Sequence, residues 1–166
     1  ERSVQLAVAS VSHEDVVLNL IDTPGYPDFV GELRAGLRAA DAALFVVSAA
    51  DGVDGATMLL WQECAAIGMP RAVAVTKLDA ARGDFEDTVA ICQRVFGEGV
   101  MAIYLPLHGD DAAIIGNLGL LSQQIYDYTS GMRVQHAPEA EHRELIEPNR
   151  SDLIEALIQE PEGDTL

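Results

Sequence analysis

Two short stretches decide the fold of this chain, LIDTPG at residues 20–25 and VAVTKLD at residues 73–79. Each begins as an apolar run and ends in polar residues, the first with a proline and a glycine as well. This is the pattern of a buried strand that ends in a loop. The second stretch carries Lys77, the only lysine in the chain. The two stretches therefore predict two polar loops, each at the end of a buried strand.

Around these stretches, apolar segments of strand length alternate with segments of helical periodicity. Strands are predicted at residues 4–9, 16–21, 42–47, 71–75 and 100–105, and helices at residues 29–39, 56–67 and 84–96. Alternating elements with short connections predict an α/β fold, with helices on both faces of a sheet. The segment 42–47 is apolar throughout, which predicts a strand buried on both faces of a parallel sheet.

Composition limits the class of protein. At 166 residues and 49% hydrophobic the chain is long enough for one core and a small appendage. The formal net charge of −17 argues against a broad grip on nucleic acid and favours a basic partner. Cys64 and Cys92 lie in apolar helical contexts, which predicts buried thiols in a reducing compartment. The four histidines have no ligand spacing, so no metal cluster is expected. No apolar run is long enough to cross a membrane.

The composition shifts after Pro106. Residues 107–166 carry a net charge of −9, slightly more than the −8 of the longer segment 1–106. We therefore predict two parts, a partial nucleotide-binding domain at 1–106 and an acidic, incomplete subdomain at 107–166. Within the second part, strands are predicted at 114–118 and 124–128 and helices at 139–146 and 151–158, the last of these capped by Ser151.

The first loop has the residue types of a phosphate and metal site. Asp22, at the carboxyl end of a strand, is placed to orient Mg²⁺ through water, since this cation keeps several waters and takes few carboxylates. Gly25 lets a backbone N–H approach a terminal phosphate with no Cβ in the way. Taken alone, a DTPG segment is more often a simple turn.

The second loop has the residue types of a guanine site. The Asp79 carboxylate is able to accept two hydrogen bonds from the N1–H and N2–H₂ edge of guanine, which adenine does not offer. A base without these donors leaves the carboxylate unpaired, at about 1–3 kcal/mol. The Lys77 stem is able to lie along the base or ribose. The ordered pair of loops is a much stronger signal than either loop alone.

With ERSV at 1–4, YPDF at 26–29 and DAALFVV at 41–47, these loops resemble the GTPase domain of elongation factor G and its ribosome-protection relatives. The resemblance implies a P-loop NTPase-like sheet, truncated at its N-terminus. It implies GTP or GDP with Mg²⁺ as cofactors, and a cytoplasmic parent protein that binds and hydrolyses GTP on the ribosome in translation. LPL at 105–107 and GNLGLL at 116–121 resemble the start of the family's inserted α+β subdomain, which implies ribosomal stalk proteins as partners. Beyond residue 121 the resemblance weakens.

Three positions depart from the family pattern. Tyr26 occupies the catalytic position where relatives usually carry histidine, and a phenol is a poor general base. Gln5 stands where a Mg²⁺-binding threonine is usual. Thr76 replaces the commoner asparagine of the guanine loop. The tyrosine predicts slow or differently triggered hydrolysis by the parent protein and the glutamine a weaker metal shell, whereas the threonine is compatible with guanine recognition.

A phosphate loop of the form GxxxxGK[ST] needs a lysine of its own, and Lys77 is already assigned to the guanine loop. This segment alone is therefore expected to be inactive. The family's central strand, which feeds the phosphate loop, is missing with it. Unpaired strand edges are costly, so we expect a rearranged sheet or self-association.

Two alternatives from other classes stay open at this stage. Asp22, Ser48 and Lys77 have the spacing of a phosphoreceiver, although no acidic pair closes an early strand to bind its Mg²⁺. The second alternative is a non-hydrolysing ribosome-interaction domain that has kept a degenerate GTPase fold, and Tyr26 and Gln5 favour it.

Overall fold

A computed structural model describes residues 4–24, 27–80, 83–109 and 111–159. The chain divides into two compact units. The first consists of residues 1–47 with 53–74, and the second of residues 48–52 with 75–166. No helix in the described ranges has both the length and the apolar character needed to cross a membrane.

The first unit begins with a β-hairpin. Strands β1 (Ala7–His13) and β2 (Val16–Asp22) pair antiparallel in a register that runs from Ala7 opposite Asp22 to His13 opposite Val16. The two-residue turn between them places Glu14 at φ 51°, as tight hairpin turns require. The first strand was predicted at 4–9, so it begins and ends later than expected, because the hairpin ladder fixes its bounds.

Helix α1 (Val30–Ala39) follows a short 3₁₀ turn at Pro27–Phe29 and packs on the end of the hairpin. The contact is made at Gly36. A Cβ built there would lie 3.1 Å from Cγ2 of Thr23, 3.2 Å from Cδ2 of Leu6 and 3.5 Å from Cγ2 of Ile21. Since these distances leave almost no room for a methyl group, the glycine sets how closely α1 approaches the end of β2.

A second pair of strands follows, with one helix between them in the sequence. Strands β3 (Ala43–Ser48) and β4 (Arg71–Thr76) run parallel, since the Ala43 N–H donates to Pro70 O (2.9 Å) and the Ala49 N–H donates to Thr76 O (2.8 Å). Helix α2 (Gly55–Ala66) is capped by Asp54, whose carboxylate accepts from the Thr57 N–H at 2.7 Å.

Aromatic and cationic side chains attach α2 to this strand pair. The Trp61 ring lies 5.1 Å from the Phe45 ring, edge to face, and the Arg71 guanidinium lies 4.6 Å from the Trp61 ring centre. The prediction that β3 is buried on both faces is wrong for this chain: Leu44 and Val46 are 64% and 65% exposed. Leu44 and Val46 lie two positions apart on the same face of β3, and that face is open.

In the second unit, helix α3 (Phe85–Phe96) leads into an antiparallel sheet. Asp84 caps the helix by accepting from the Asp87 N–H at 2.8 Å, and Gly97 ends it at φ 117°. Four strands then follow, β5 (Tyr104–His108), β6 (Ile114–Gly119), β7 (Gln124–Asp127) and β8 (Val134–His136), paired in that order.

Two predictions about this region need correction. A strand was expected at 100–105, as part of the parallel sheet; instead, β5 begins at Tyr104 and pairs antiparallel with β6. Two helices were expected after residue 138, but α4 (Ala140–Gln159) is continuous, with Pro148 and the predicted cap Ser151 inside it. The Asn149 side chain, directly after the proline, donates to Leu145 O at 2.8 Å, one turn back along the helix.

The buried core of the second unit lies between the four-stranded sheet and α4. Its members are apolar side chains that are 0–6% exposed: Leu107, Leu118, Leu120, Ile125, Ile146 and Leu153. The predicted strands at 114–118 and 124–128 are therefore confirmed as β6 and β7, and they supply most of this core.

Candidate functional site

Asp22, the predicted phosphate-loop acid, ends β2 and is exposed. Two residues later Pro24 is completely buried, so the chain leaves the strand along a fixed path. The α1 contact at Gly36 supports the same segment through Thr23. The loop thus presents a carboxylate at the carboxyl end of a strand, as predicted. Gly25 and Tyr26 lie outside the described residues.

The predicted guanine-loop residues belong to the second unit: Thr76 is the last residue of β4, and Lys77 and Asp79 come after it. All three are exposed. Lys77 adopts the left-handed conformation, with φ 56°, and its carbonyl accepts from the Ala80 N–H at 3.1 Å. A lysine rarely adopts this conformation, so the sharp turn after β4 is a particular feature of this loop. The turn brings the strand to an abrupt end and leaves the polar residues together.

Gly83 packs closely against the backbone of this loop. A Cβ at this position would lie 2.6 Å from the carbonyl oxygen of Lys77 and 2.9 Å from that of Leu78. A side chain of any kind would therefore collide with the backbone that carries the guanine-loop residues. This role of Gly83 was not predictable from the sequence, because an isolated glycine before a helix carries no signal that separates close packing from ordinary loop composition.

Asp51 was also missed. Its Oδ2 atom accepts from the Lys77 ammonium at 3.0 Å and from the Ser48 hydroxyl at 2.7 Å. The Ser48 hydroxyl and the Lys77 ammonium together hold the pKa of the Asp51 carboxyl below its ordinary value. The available signal was the DG pair at 51–52, which indicates a tight turn directly after β3.

A cavity of about 890 Å³ opens beside the guanine loop within the second unit. Leu78 and Asp79 line one side of it, and the first half of α3 lines another. Strand β5 contributes Leu105 and Pro106, and the end of β6 contributes Leu118. Asp79 is therefore an exposed residue that lines an open cavity.

Several other candidate residues are not part of the two loops. Cys64 and Cys92 are free and buried, as predicted, and burial raises the pKa of each thiol. At the start of α4, ligand atoms of Glu139, Glu141 and His142 lie within 4.8 Å of one another, an arrangement that histidine spacing alone did not predict. Gln5 lies exposed ahead of β1.

Comparison with known proteins identifies the family. The model of the elongation factor Tu GTP-binding domain matches residues 1–160. The chain belongs to this family. It therefore has the fold class that its two loops predict, and GTP or GDP is the nucleotide that the family binds. The phosphoreceiver alternative is not supported by this match.

Named relatives narrow the assignment within the family. Two strains of Mycobacterium tuberculosis, CDC 1551 / Oshkosh and H37Rv, each have an elongation factor G-like protein that is 52% identical over all 166 residues. Elongation factor G of Mycoplasma pneumoniae is 34% identical over 133 residues, which is 79% of this chain and 19% of the relative. The sequence resemblance to elongation factor G is thereby confirmed.

A solved structure agrees with the family match. A crystal structure of a protein from Thermus thermophilus superimposes with a TM-score of 0.86 over 98% of this chain, at 34% identity, and the match covers 24% of that protein. The chain likewise spans 22% of the length of the Mycobacterium relatives. It is a part of the GTP-binding domain of an elongation-factor-G-like translation factor.

Proposed function

We propose that the whole protein binds GTP and GDP with Mg²⁺ and hydrolyses GTP on the ribosome, in the cytoplasm. The family match over residues 1–160 carries this proposal. The chain's own residues support it, because the two loops predicted to hold phosphate and base both stand at strand ends, with exposed polar side chains. Ribosomal stalk proteins are the proposed partners of the region that begins near residue 107.

Asp79 is proposed to read the base. Asp79 is exposed and is one of the residues that line the cavity beside the loop, so its carboxylate is accessible to the N1–H and N2–H₂ groups of guanine. The Lys77 stem packs along one side of the base, and Thr76 is the last residue of β4 before the loop. In the first unit, Asp22 is proposed to orient Mg²⁺ through water. An exposed carboxylate at the end of a strand fits that role, since Mg²⁺ prefers oxygen ligands. The metal would neutralise phosphate charge.

The base assignment is tested with Asp79→Asn in the full-length protein. Asparagine offers an N–H₂ donor where the carboxylate accepts, so it no longer matches the guanine 2-amino group but matches the 2-oxo group of xanthine. We expect GDP affinity to fall about 10- to 100-fold and xanthosine diphosphate affinity to rise. Glu98→Gln is a matched control, because it removes one exposed negative charge in the turn after α3. Unchanged GDP affinity in Asp79→Asn would refute the base assignment.

Hydrolysis is a separate question, because Tyr26 stands at the proposed catalytic position. A phenol positions water less well than an imidazole and is a poorer base near neutral pH. We expect slow single-turnover GTP hydrolysis with ribosomes, and a faster rate in Tyr26→His. If the wild-type protein binds GTP and ribosomes but neither form turns GTP over, the protein is a ribosome-binding module with a degenerate GTPase fold.

A further inference from the structure

The turn between β3 and α2 has no role in the function proposed above. Its first residues, SAADG at 48–52, begin with Ser48, the last residue of β3. The structure groups this segment with the guanine loop, since residues 48–52 belong to the second unit with residues 75–166. The segment therefore lies beside the residues proposed to bind the base.

The turn itself is tightly built. The Gly52 N–H donates to Ser48 O at 2.8 Å and the Asp51 N–H donates to the same oxygen at 3.2 Å. Gly52 has a φ of 75°, a left-handed conformation that favours glycine. The Ala49 N–H donates to Thr76 O at 2.8 Å, which fixes the start of the turn to the end of β4. Backbone hydrogen bonds thus set the position of Asp51 relative to the residue before Lys77.

We propose that Asp51 is a positioning residue of the guanine site: its carboxylate holds the Lys77 ammonium so that the lysine stem lies ready to pack along the base. The inference rests on the proposed role of Lys77 in binding the nucleotide. Asp51 Oδ2 is 3.0 Å from Lys77 Nζ, and the Ser48 hydroxyl, 2.7 Å from the same oxygen, orients the carboxylate. Lys77 is the only lysine in the chain.

The physical reason is conformational entropy. A lysine side chain has four rotatable bonds and is among the costliest to immobilise. The backbone of Lys77 is already fixed in a sharp turn, but its side chain is still 60% exposed. A carboxylate that holds the ammonium before the nucleotide arrives removes part of the ordering cost of binding. An exposed ion pair has a modest energy, so the expected change in affinity is about two- to fivefold.

The test measures affinity and release of a fluorescent GDP analogue in the full-length protein. We expect Asp51→Ala to weaken GDP binding about two- to fivefold, mainly through faster release, while circular dichroism stays unchanged. Asp51→Asn retains a partner for the Ser48 hydroxyl but loses the charge, and should behave in the same way. Glu98→Gln, the matched loss of one charge in the turn after α3, should leave affinity unchanged.

A double-mutant cycle separates positioning from a purely structural role. Lys77→Met keeps an apolar stem and removes the ammonium, so Asp51→Ala should have no further effect in that background. Equal losses in both backgrounds, or no loss in Asp51→Ala alone, would overturn the inference. The Asp79→Asn exchange of guanine for xanthine reports separately on the proposed function. If that exchange occurs and the cycle shows no coupling, only the role of Asp51 fails.

Discussion

The hairpin of residues 7–22 and the sheet of residues 104–136 are both antiparallel, yet only the second buries an apolar face. In the hairpin, Val8, Val17 and Leu20 are 53–69% exposed. In the sheet, Leu118 and Ile125 are 2% and 0% exposed, because Ile146 and Leu153 of α4 close over them. Strand pairing and burial therefore have different requirements. A two-residue turn is enough to pair two strands, whereas burial needs a partner surface.

Among the described residues, each strand of the hairpin and of the β3–β4 pair has a partner on one edge only. The hairpin and the β3–β4 pair are separate two-stranded sheets rather than one continuous sheet. The two units differ in how completely they cover their apolar side chains. The second unit closes a core from its own residues, while the strands of the first leave large apolar side chains open.

The substitution with the largest expected effect on stability tests the strand pairing within the buried sheet. Gly116→Ala would place a Cβ against the backbone oxygen of Tyr126 and 3.1 Å from Asp127 Cα, across the β6–β7 ladder. The strands would have to separate, at a cost of about 4 kcal/mol or more in the free energy of unfolding. Gly31→Ala in α1 meets nothing within 4 Å and should stabilise the helix slightly. Urea unfolding of the two variants measures the difference; comparable midpoints would contradict the tight β6–β7 packing.

A matched pair of leucines tests burial directly. Leu118→Ala should lower the free energy of unfolding by about 3 kcal/mol, since it removes packed methyl groups and leaves a cavity. Leu20→Ala, at a position that is 53% exposed, should cost less than about 1 kcal/mol. Both are measured by chemical unfolding of the 166-residue chain. Equal costs would mean that the hairpin face is covered in solution, by a second copy or otherwise.

A smaller change in stability is expected when the N-cap of α2 is removed, because the cap is local and does not depend on the core. Asp54→Ala should lower the free energy of unfolding by about 1 kcal/mol at neutral pH, whereas Asp54→Asn should retain most of the stabilisation from the cap. Hydrogen bonds from Thr57 hold the pKa of Asp54 below its ordinary value. The charge-dependent part of the cap is therefore present above the unfolded pKa of about 3.9 and is lost as the pH falls through the lower folded value. Unfolding curves at several pH values measure this; an Asp54→Ala deficit that persists unchanged in acid would contradict it.

The smallest effect is expected at the surface of the first unit. Arg34 makes a two-pronged ion pair with Glu63, at 2.6 Å and 3.0 Å, which joins α1 to α2. Because both side chains are substantially exposed, solvent and salt screen the pair. Arg34→Lys should shift the thermal midpoint only slightly at low salt and not at all at high salt. A shift as large as that of Leu118→Ala would show that this contact, rather than a core, stabilises the unit.

Local features were predictable from the sequence. The helices at 29–39, 56–67 and 84–96 appear within one or two residues of their predicted bounds, because caps and glycine stops act within one turn. Both polar loops lie at the strand ends where they were expected. Asp22, Thr76, Lys77 and Asp79 were identified as candidates because their spacing and residue types indicate a chemistry without reference to packing.

Only the tertiary structure decided which apolar runs are buried and which residues support the site. The run at 42–47 is apolar on both faces, but burial depends on a neighbour that the run itself does not specify. Tyr104–His108 joins an antiparallel sheet because it pairs with β6. Helix α4 continues past Pro148 because its apolar face packs on that sheet. The contact of Asp51 with Lys77 spans 26 positions, so no local pattern encodes it. The sequence by itself thus determined the elements and the chemistry of the loops, whereas long-range packing decided what each element covers.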